Sequence, residues 1–514
     1  MSPNELFLLL MMIGLFGSIL SGVPVMLAIA GAPLVTAVVA SLFGVFDIGM
    51  LSFYPARVWG IMTNSLLMAV PLFVLMGVFL ERAQLAENML GVLARMLGGS
   101  PRGMGLSVLL FSAMIAAATG IIGATVVMLV LVSLKPMLDA GMSGRRASGL
   151  ICASGTLGQI IPPSILLVLL GDQIGNTYME AQQRAGNFAP QPVSVGDLFA
   201  GALVPGLMLV GLYALYLAFV LRPARGAVRP PRAAPVTWAE VLFTFLPPML
   251  LILAVLGSIL AGVATATEAA ALGAVGAGLM AAFARGAGRF ERVLILAAGL
   301  SAFALVALRM AGFGRAELLS PAGLVALAGA VLIAAGTLGG GLRLWRSGVL
   351  YGALSATMKI SGMVFGIVIA ASLLALVFRG FGGHHIVEAF MERLPGGDLG
   401  ALLVIMLIVF ILGFILEAIE IIYIVVPLLG PAILGSDISP VWFAVLLAMN
   451  LQTSFLTPPF GFALFYFRSA APASISTGDL YRGVIPFVLL QLVALAILVA
   501  VPELATWLPD RIFG

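Results

Sequence analysis

Apolar residues run along this chain in segments of roughly 20, which is the length that an α-helix needs to cross a bilayer. Simple spans are predicted near 5–21, 23–43, 61–80, 198–221, 239–260, 262–284, 293–311, 319–340, 350–378 and 484–506, with an interfacial segment at 84–100. Two longer apolar stretches, 103–138 and 399–434, are each interrupted by short or polar residues. Two more, 146–171 and 440–468, each contain a pair of adjacent prolines.

The proline pairs predict two helices that are broken inside the membrane. Pro162 and Pro163 lie in GQIIPPSILL, and Pro458 and Pro459 lie in TSFLTPPFGF. Consecutive prolines remove two backbone donors and clash with the preceding turn. The first pair begins 42 residues after Gly120, in the first interruption, and the second begins 41 residues after Glu417, in the second. This matching distance indicates two related copies of one motif.

Composition places the chain in a membrane. Of its 514 residues, 62% are hydrophobic and 9% are charged, whereas soluble domains carry about 25% charged residues. The formal net charge of +4 is no signal for nucleic acid, because the basic residues cluster in short loops. A single cysteine, Cys152, excludes an internal disulfide and a multi-cysteine metal site.

The basic residues predict the orientation. The stretch 222–232 is rich in arginine and proline and begins a short linker, 222–237. If this linker is cytoplasmic, most of the 25 Lys and Arg residues fall on the cytoplasmic side, as the positive-inside rule requires. The chain is then a multi-pass protein of the bacterial inner membrane with both termini in the periplasm.

The two halves have the same order of elements in opposite orientations. Residues 1–221 form the predicted first repeat, and 238–514 form the second once a helix pair at 286–345 is treated as an insertion. The predicted fold class is therefore an all-α polytopic membrane protein with an inverted repeat, two re-entrant hairpins and two Pro-broken helices, which is typical of secondary transporters. The basic-residue pattern is the same if each hairpin crosses the membrane twice, so re-entrance and full crossing both stay open.

Short polar residues surround each break. The first group is Thr119, Gly120, Thr125, Ser154, Thr156 and Gln159, and the second is Asn450, Gln452, Thr453, Ser454 and Thr457. Hydroxyls, amides and freed carbonyls are neutral oxygen ligands that suit a monovalent cation. The alternative is that these hydroxyls bond back to their own helices, but two clusters at matching positions favour ion sites.

Several ionisable residues have two interpretations each. Glu417 and Glu420 take part in transport, or they cap backbone amides at a hairpin tip, and either could carry a proton. Arg379 pairs with a substrate carboxylate or anchors the outer rim. Lys359 snorkels or contacts a partner subunit. His384 and His385 are predicted to be solvated loop residues.

No motif for an enzyme or an ATP-driven pump is found in the sequence. The patterns GxxxxGK[ST], HExxH and GxSxG do not occur, and neither does a Cys/His cluster. The chain is therefore predicted to be no enzyme.

Six stretches resemble the large membrane subunit of TRAP transporters (tripartite ATP-independent periplasmic transporters), almost end to end outside about 286–345. They are AVPLFVLMG (69–77), ATGIIGAT (118–125), ASGTLGQIIPPSI (153–165), ATATEAAALGAVGAG (264–278), LGFILEAIEIIYIVVPLLGP (412–431) and NLQTSFLTPPFGFALFYFR (450–468). The second-half motifs look most like the branch labelled for mannitol and chloroaromatic compounds.

The resemblance implies an elevator-type secondary transporter of the ion transporter superfamily. Such a protein imports organic acids by Na⁺ symport, with a small four-helix membrane subunit and a periplasmic substrate-binding protein as partners. The implied first Na⁺ site is Thr119, Gly120, Thr125, Ser154, Thr156 and Gly158, and the second is Glu417, Asn450, Thr453, Thr457 and Gly461. The implied substrate position is between the two hairpin tips. The predicted substrate residues are Thr119, Gln159, Pro162, Ser164, Glu420, Pro458 and Arg379.

One departure and two alternatives accompany the resemblance. The first tip reads Thr119-Gly120-Ile121 where the family usually has serine-glycine-serine, so one hydroxyl ligand is missing. The runner-up function is a stand-alone cation-coupled anion transporter without a binding protein. A channel or membrane scaffold is disfavoured because neither needs two inverted copies of a broken-helix site.

Overall fold

A computed structural model describes residues 2–82, 85–120, 122–221, 236–285, 288–310 and 320–514. The chain is 83% helical, and no strand occurs in these ranges. Ten helices in them are long and apolar enough to cross a membrane. This confirms the predicted all-α membrane fold.

In the described part of the first half there are eleven α-helices. They are α1 (Pro3–Leu20), α2 (Val25–Leu42), α3 (Tyr54–Thr63), α4 (Ala69–Arg82), α5 (Leu85–Met96), α6 (Pro101–Thr119), α7 (Ile122–Leu129), α8 (Lys135–Asp139), α9 (Gly144–Thr156), α10 (Ile165–Arg184) and α11 (Val195–Val220). A π-helical turn, Val130–Leu134, joins α7 to α8.

The second half contains thirteen helices in the described ranges. They are α12 (Trp238–Leu260), α13 (Ala266–Ala284), α14 (Arg289–Met310), α15 (Pro321–Arg346), α16 (Val349–Gly380), α17 (Gly383–Glu392), α18 (Gly397–Leu412), α19 (Ala418–Leu429), α20 (Pro431–Leu434), α21 (Pro440–Leu456), α22 (Phe462–Ala470), α23 (Thr477–Ala500) and α24 (Glu503–Phe513). The helix pair expected at 286–345 is α14 and α15, which pack against each other and against α13. Residues 222–235, which are most of the predicted linker 222–237, lie outside the described residues.

The span predicted near 61–80 differs from the structure. Two helical segments, Ile48–Thr63 and Leu66–Arg82, meet there at an angle of 54°. The Asn64 side chain accepts from the backbone N–H of Leu66 at 2.9 Å and so caps the start of the second segment. The predicted span took the polar run at 63–65, Thr-Asn-Ser, as part of one helix, whereas this run is where the chain bends.

The histidine pair also differs from its prediction. His384 and His385 lie in the first turn of α17, a helix that starts after Gly382, whose φ is +74°. Glycine adopts this left-handed conformation at no steric cost, and it lets the chain turn directly from α16 into α17. The imidazole of His385 is exposed and lies 3.7 Å from Glu388. His384 is half-buried, and its Nδ1 is buried without a hydrogen-bond partner among the described residues, so only one of the two is solvated and neither is in a loop.

The interrupted stretches form helical hairpins. The first consists of α6 and a continuous helical run, Ile122–Asp139, which is long enough by length and composition to cross a membrane. The second consists of the shorter helices α18 and α19. The element order of the two halves agrees with the predicted repeat, while their division into inverted repeats stays a prediction.

The two Pro-broken helices lie at the centre of the bundle. In α21 every residue from 441 to 456 is buried, and in α9 every residue from 147 to 156 is buried. Gly149 of α9 lies against the backbone of α23 at Gly483, where a Cβ on either glycine would overlap the other helix. In lipid the hydrophobic effect does not hold helices together, so their association depends on close van der Waals packing through small residues such as these.

Candidate functional site

The first break joins α9 to α10. A 3₁₀ turn, Leu157–Gln159, follows α9, and the Pro162–Pro163 pair then keeps the chain out of helical geometry until Ile165. The hydroxyl of Ser164 donates to the carbonyl of Gln159 at 3.0 Å and closes this turn. The peptide bond inside each proline pair is cis.

The first hairpin tip lies directly on the first break. Gly120 has φ +61°, and a Cβ added there would lie 3.1 Å from the backbone nitrogen of Ile165. Further along, Gly155 of α9 packs against Val126 of α7. The first hairpin tip therefore approaches the broken helix of its own half backbone to backbone.

Neutral oxygen atoms converge around the first break. Ser154 is fully buried, and its hydroxyl has no hydrogen-bond partner among the described residues. Thr156 donates to the carbonyl of Ala153 at 2.9 Å, which leaves its oxygen free to accept. Thr125 is also buried, and Gly158 lies in the 3₁₀ turn. The side chain of Thr119 lies outside the described residues.

The second hairpin is hydrogen-bonded to the second broken helix. The Asn450 amide donates to the carbonyl of Met406 at 2.6 Å, and Ser454 donates to that of Phe410 at 2.7 Å. Gly413, at the end of α18, packs against the Ser454 side chain. Two carbonyls of one hairpin arm are thus held by two side chains of α21.

The threonines of the second break bond to their own helix. Thr453 donates to the carbonyl of Met449 at 2.8 Å, and Thr457 donates to that of Thr453 at 2.7 Å. This is the alternative that the sequence raised for hydroxyls in helices. A hydroxyl that donates its proton keeps two lone pairs, however, so both oxygens can still face a cation. Gly461 lies against the backbone of Phe455 on the far side of the break.

The two carboxylates of the second tip have different partners. Glu420 accepts from the backbone N–H of Glu417 at 3.0 Å, which is the capping role expected at the third position of a helix. Glu417 accepts from the phenol of Tyr466 at 3.2 Å. The carboxylate of Glu417 therefore faces α22, across the second break, whereas that of Glu420 serves its own hairpin.

Tyr466 connects the second tip to the first hairpin. A Cβ on Gly123 of α7 would lie 2.7 Å from the Tyr466 ring, whose hydroxyl reaches Glu417. One side chain thus contacts both hairpins near their tips. Sequence reasoning missed this residue, although it stands in the motif that follows the second proline pair.

Buried polar atoms at the first break fit a cation. Besides Ser154, the Gln159 side-chain oxygen is buried and has no hydrogen-bond partner among the described residues. The donor set there is hydroxyl, amide and backbone oxygen, which suits Na⁺. At the second break, Glu417 adds one carboxylate to a similar set. Among the described residues, no group of three His, Cys, Asp or Glu side chains could hold a metal ion.

The remaining predicted substrate residues lie in two places. Gln159, Pro162 and Ser164 are buried at the first break, and Pro458 is half-buried at the second. Arg379 lies elsewhere, at the end of α16, and both its terminal nitrogens bind Glu180 at 2.7 Å. Glu180 follows Ser164 by 16 residues, or about 24 Å of helix, so Arg379 is remote from the first break. Lys359 is exposed on α16.

Comparison with known proteins agrees with this architecture. The family model described as "Tripartite ATP-independent periplasmic transporter, DctM component" matches residues 12–319 and 294–504. A sialic acid TRAP transporter large permease protein, SiaM of Vibrio cholerae, is 26% identical over 98% of both chains. A C4-dicarboxylate TRAP transporter large permease protein, DctM of the same species, is 26% identical over 87% of this chain and 86% of its own.

A solved structure shares the fold. The YdaH transporter of Alcanivorax borkumensis superposes with a TM-score of 0.52 over 90% of each chain, at 14% identity. At this identity the likeness concerns the fold alone. The family match, in contrast, spans nearly the whole sequence, including both broken helices, and the chain therefore belongs to the DctM-component family of tripartite ATP-independent periplasmic transporters.

Proposed function

We propose that this chain is the large permease subunit of a Na⁺-coupled importer of organic acids that works by an elevator motion. The observation that carries the proposal is the paired site: each hairpin packs on the broken helix of its own half, and Tyr466 touches both hairpins. Such a pair gives cation ligands on both sides of a space between the tips.

Two cations would bind in this proposal, one at each break. Ser154 and its neighbours hold the first, and Glu417, Asn450 and the threonines of α21 hold the second. Glu417 can also carry a proton, so proton coupling is the alternative for the second site. The substrate would bind between the tips near Gln159 and Ser164.

The family name implies two further components, which we propose as partners. They are a small four-helix membrane subunit and a periplasmic binding protein that delivers the substrate. Two relatives carry the names of acids, a C4-dicarboxylate and sialic acid, which supports an organic acid as substrate. The resemblance to the mannitol and chloroaromatic branch stays a prediction, as does the periplasmic position of both termini.

Reconstitution tests this proposal. The binding protein is first screened against organic acids by thermal shift, and uptake of the acid that it binds is then measured in proteoliposomes that contain the chain and the small subunit. We expect uptake only with an inward Na⁺ gradient and added binding protein. An equal rate with an inward K⁺ gradient would refute Na⁺ coupling, and an equal rate without the binding protein would favour the stand-alone transporter.

A further inference from the structure

A cavity of about 510 Å³ lies along α10 beyond the first break. Its walls come from α3, α10, α16 and α19, and Asn64 at the bend before α4 completes them. On α10 the nearest lining residue, Asp172, follows Ser164 by eight residues, or about 12 Å of helix. The volume is within the range of small-molecule sites, about 300–1,000 Å³. The arginine pattern predicts that this end of α10 and α16 faces the periplasm.

Most charged groups in the cavity already have partners. Arg379 and Glu180 form a bidentate pair at 2.7 Å. At the other end, Asp172 accepts from Asn64 at 2.8 Å and from the Tyr423 hydroxyl at 3.4 Å. The Glu180 carboxylate is thus paired with a guanidinium, whereas the Asp172 carboxylate is held by two neutral donors at the opposite end of the cavity.

Arg57 is the exception. Its guanidinium is half-buried and lines the cavity, and it makes no hydrogen bond or ion pair with any described residue. The charged groups that act on it are Arg379 and Glu180. Because the Glu180 carboxylate is bound by Arg379, and also by Arg184 at 2.7 Å, it is engaged by two other guanidinium groups and forms no ion pair with Arg57.

The rest of the lining has mixed polarity. Asn176 and Ser372 supply hydrogen-bonding groups, while Ile61, Val368 and Ala371 supply apolar surface. A guanidinium donates two parallel hydrogen bonds to a carboxylate, which gives it both affinity and orientation. The cavity thus combines one unpaired anion-binding group with space for a small organic body.

We propose that this cavity binds a small organic acid through its carboxylate, with Arg57 as the residue that holds it. This inference deepens the proposed function, since the ligand would be the transported class of molecule on the periplasmic side of the pathway. Arg379 then acts as a positioning residue that keeps Glu180 away from Arg57.

The test is binding of radiolabelled succinate to the purified chain in phosphatidylcholine nanodiscs, at constant Na⁺ and ionic strength. We expect Arg57→Gln to weaken binding by roughly tenfold or more, as for the loss of a charge-assisted hydrogen-bond pair. Arg57→Lys should recover part of the affinity, because the charge remains and the planar fork is lost. Thermal melting checks that each variant is folded.

Arg511→Gln is the matched control. It removes the same charge from an exposed position of α24 at the predicted periplasmic C-terminal end, and Arg511 does not line the cavity, so we expect less than about a twofold change in binding. Uncharged succinamide should not compete. Wild-type chain that binds no succinate, or an Arg57→Gln variant that binds it as wild type does, would overturn the inference.

A second experiment tests whether the ligand of Arg57 is a free organic acid or the phosphate of a lipid headgroup. Phosphatidylglycerol is added to the nanodiscs, and succinate affinity should change less than about threefold. Displacement by this lipid in wild type but not in Arg57→Gln would assign Arg57 to lipid phosphate and overturn the inference. Failure of Na⁺-driven uptake with intact succinate binding would instead refute only the proposed function.

Discussion

The two breaks share their backbone design and differ in their chemistry. Both follow a buried helix, both contain a Pro–Pro pair, and both lie against a hairpin of their own half. The first is lined by neutral oxygens, including the unpartnered hydroxyl of Ser154. The second adds the carboxylate of Glu417, which Tyr466 holds at 3.2 Å. Related geometry thus supports two sites of different charge.

The breaks also differ in burial. Every residue from 157 to 164 is buried, whereas Pro459 and Phe460 at the second break are exposed. Desolvation penalises an isolated charge in a buried site more than in a partly exposed one. The carboxylate accordingly occurs at the more open break, and the closed break uses uncharged ligands. We expect the second site to depend on one charge and the first on several weak contacts.

The largest effect is expected from Glu417→Gln. Two unit charges about 4 Å apart attract each other by about 4 kcal/mol at an effective dielectric constant of about 20. If Glu417→Gln removes half of this attraction, about 2 kcal/mol, the dissociation constant for Na⁺ rises by roughly thirtyfold. The measurement is the melting temperature of the purified chain at increasing NaCl concentrations, with choline chloride added to keep the ionic strength constant. The NaCl concentration that gives half of the full stabilisation is the Na⁺ midpoint.

Glu420→Ala is the control for that variant. It removes the carboxylate that caps Glu417, so it should lower the melting temperature with a loss of about 0.5–2 kcal/mol, and shift the Na⁺ midpoint much less. Equal midpoint shifts for the two variants would mean that hairpin distortion, and not lost charge, causes both.

A smaller effect is expected from Ser154→Ala at the first break. The loss of one neutral ligand should raise the Na⁺ midpoint by roughly tenfold, or about 1.4 kcal/mol. Stability without Na⁺ should stay equal or increase, since a buried hydroxyl without a partner is removed. A purely structural Ser154 predicts the same stability change and no change in the Na⁺ midpoint.

Ser133→Ala is the matched control, since the Ser133 hydroxyl is also buried and unpartnered among the described residues but lies on the π-helical turn of the first hairpin. It should leave the Na⁺ midpoint unchanged. If Ser154→Ala has the same Na⁺ midpoint as wild type, Ser154 is not a Na⁺ ligand and the proposed first site is wrong.

The smallest effect is expected from Tyr466→Phe. This change removes one hydrogen bond to Glu417, worth about 0.5–1.5 kcal/mol, so the Na⁺ midpoint should rise by no more than about tenfold. In a Glu417→Gln background the same change should have little further effect, because the two side chains act together. Tyr481→Phe is the control, since its hydroxyl donates to Pro459 on the exposed side.

An independent effect of Tyr466→Phe in the Glu417→Gln background would contradict this coupling. Tyr466 would then act through its ring on Gly123 of the first hairpin. The double-mutant cycle thus separates a contact within the second site from a contact between the two hairpins.

Local sequence rules determined much of this protein. Apolar length predicts where helices can span, and paired prolines end a helix wherever they occur, because they lack backbone donors. Both breaks, both hairpins and the inserted pair α14 and α15 could therefore be located from the sequence. The matching distances from Gly120 and Glu417 to the prolines also indicated which residues belong together.

Only the tertiary structure decided which partner each polar side chain takes. The Arg379–Glu180 pair joins residues 199 positions apart, and the Asn64–Asp172 bond joins residues 108 apart. Such contacts depend on how helices pack, and the hydrophobic pattern carries no information about them. The same reason explains why Tyr466, the bend at residue 64 and the unpartnered Arg57 became visible only in the folded chain.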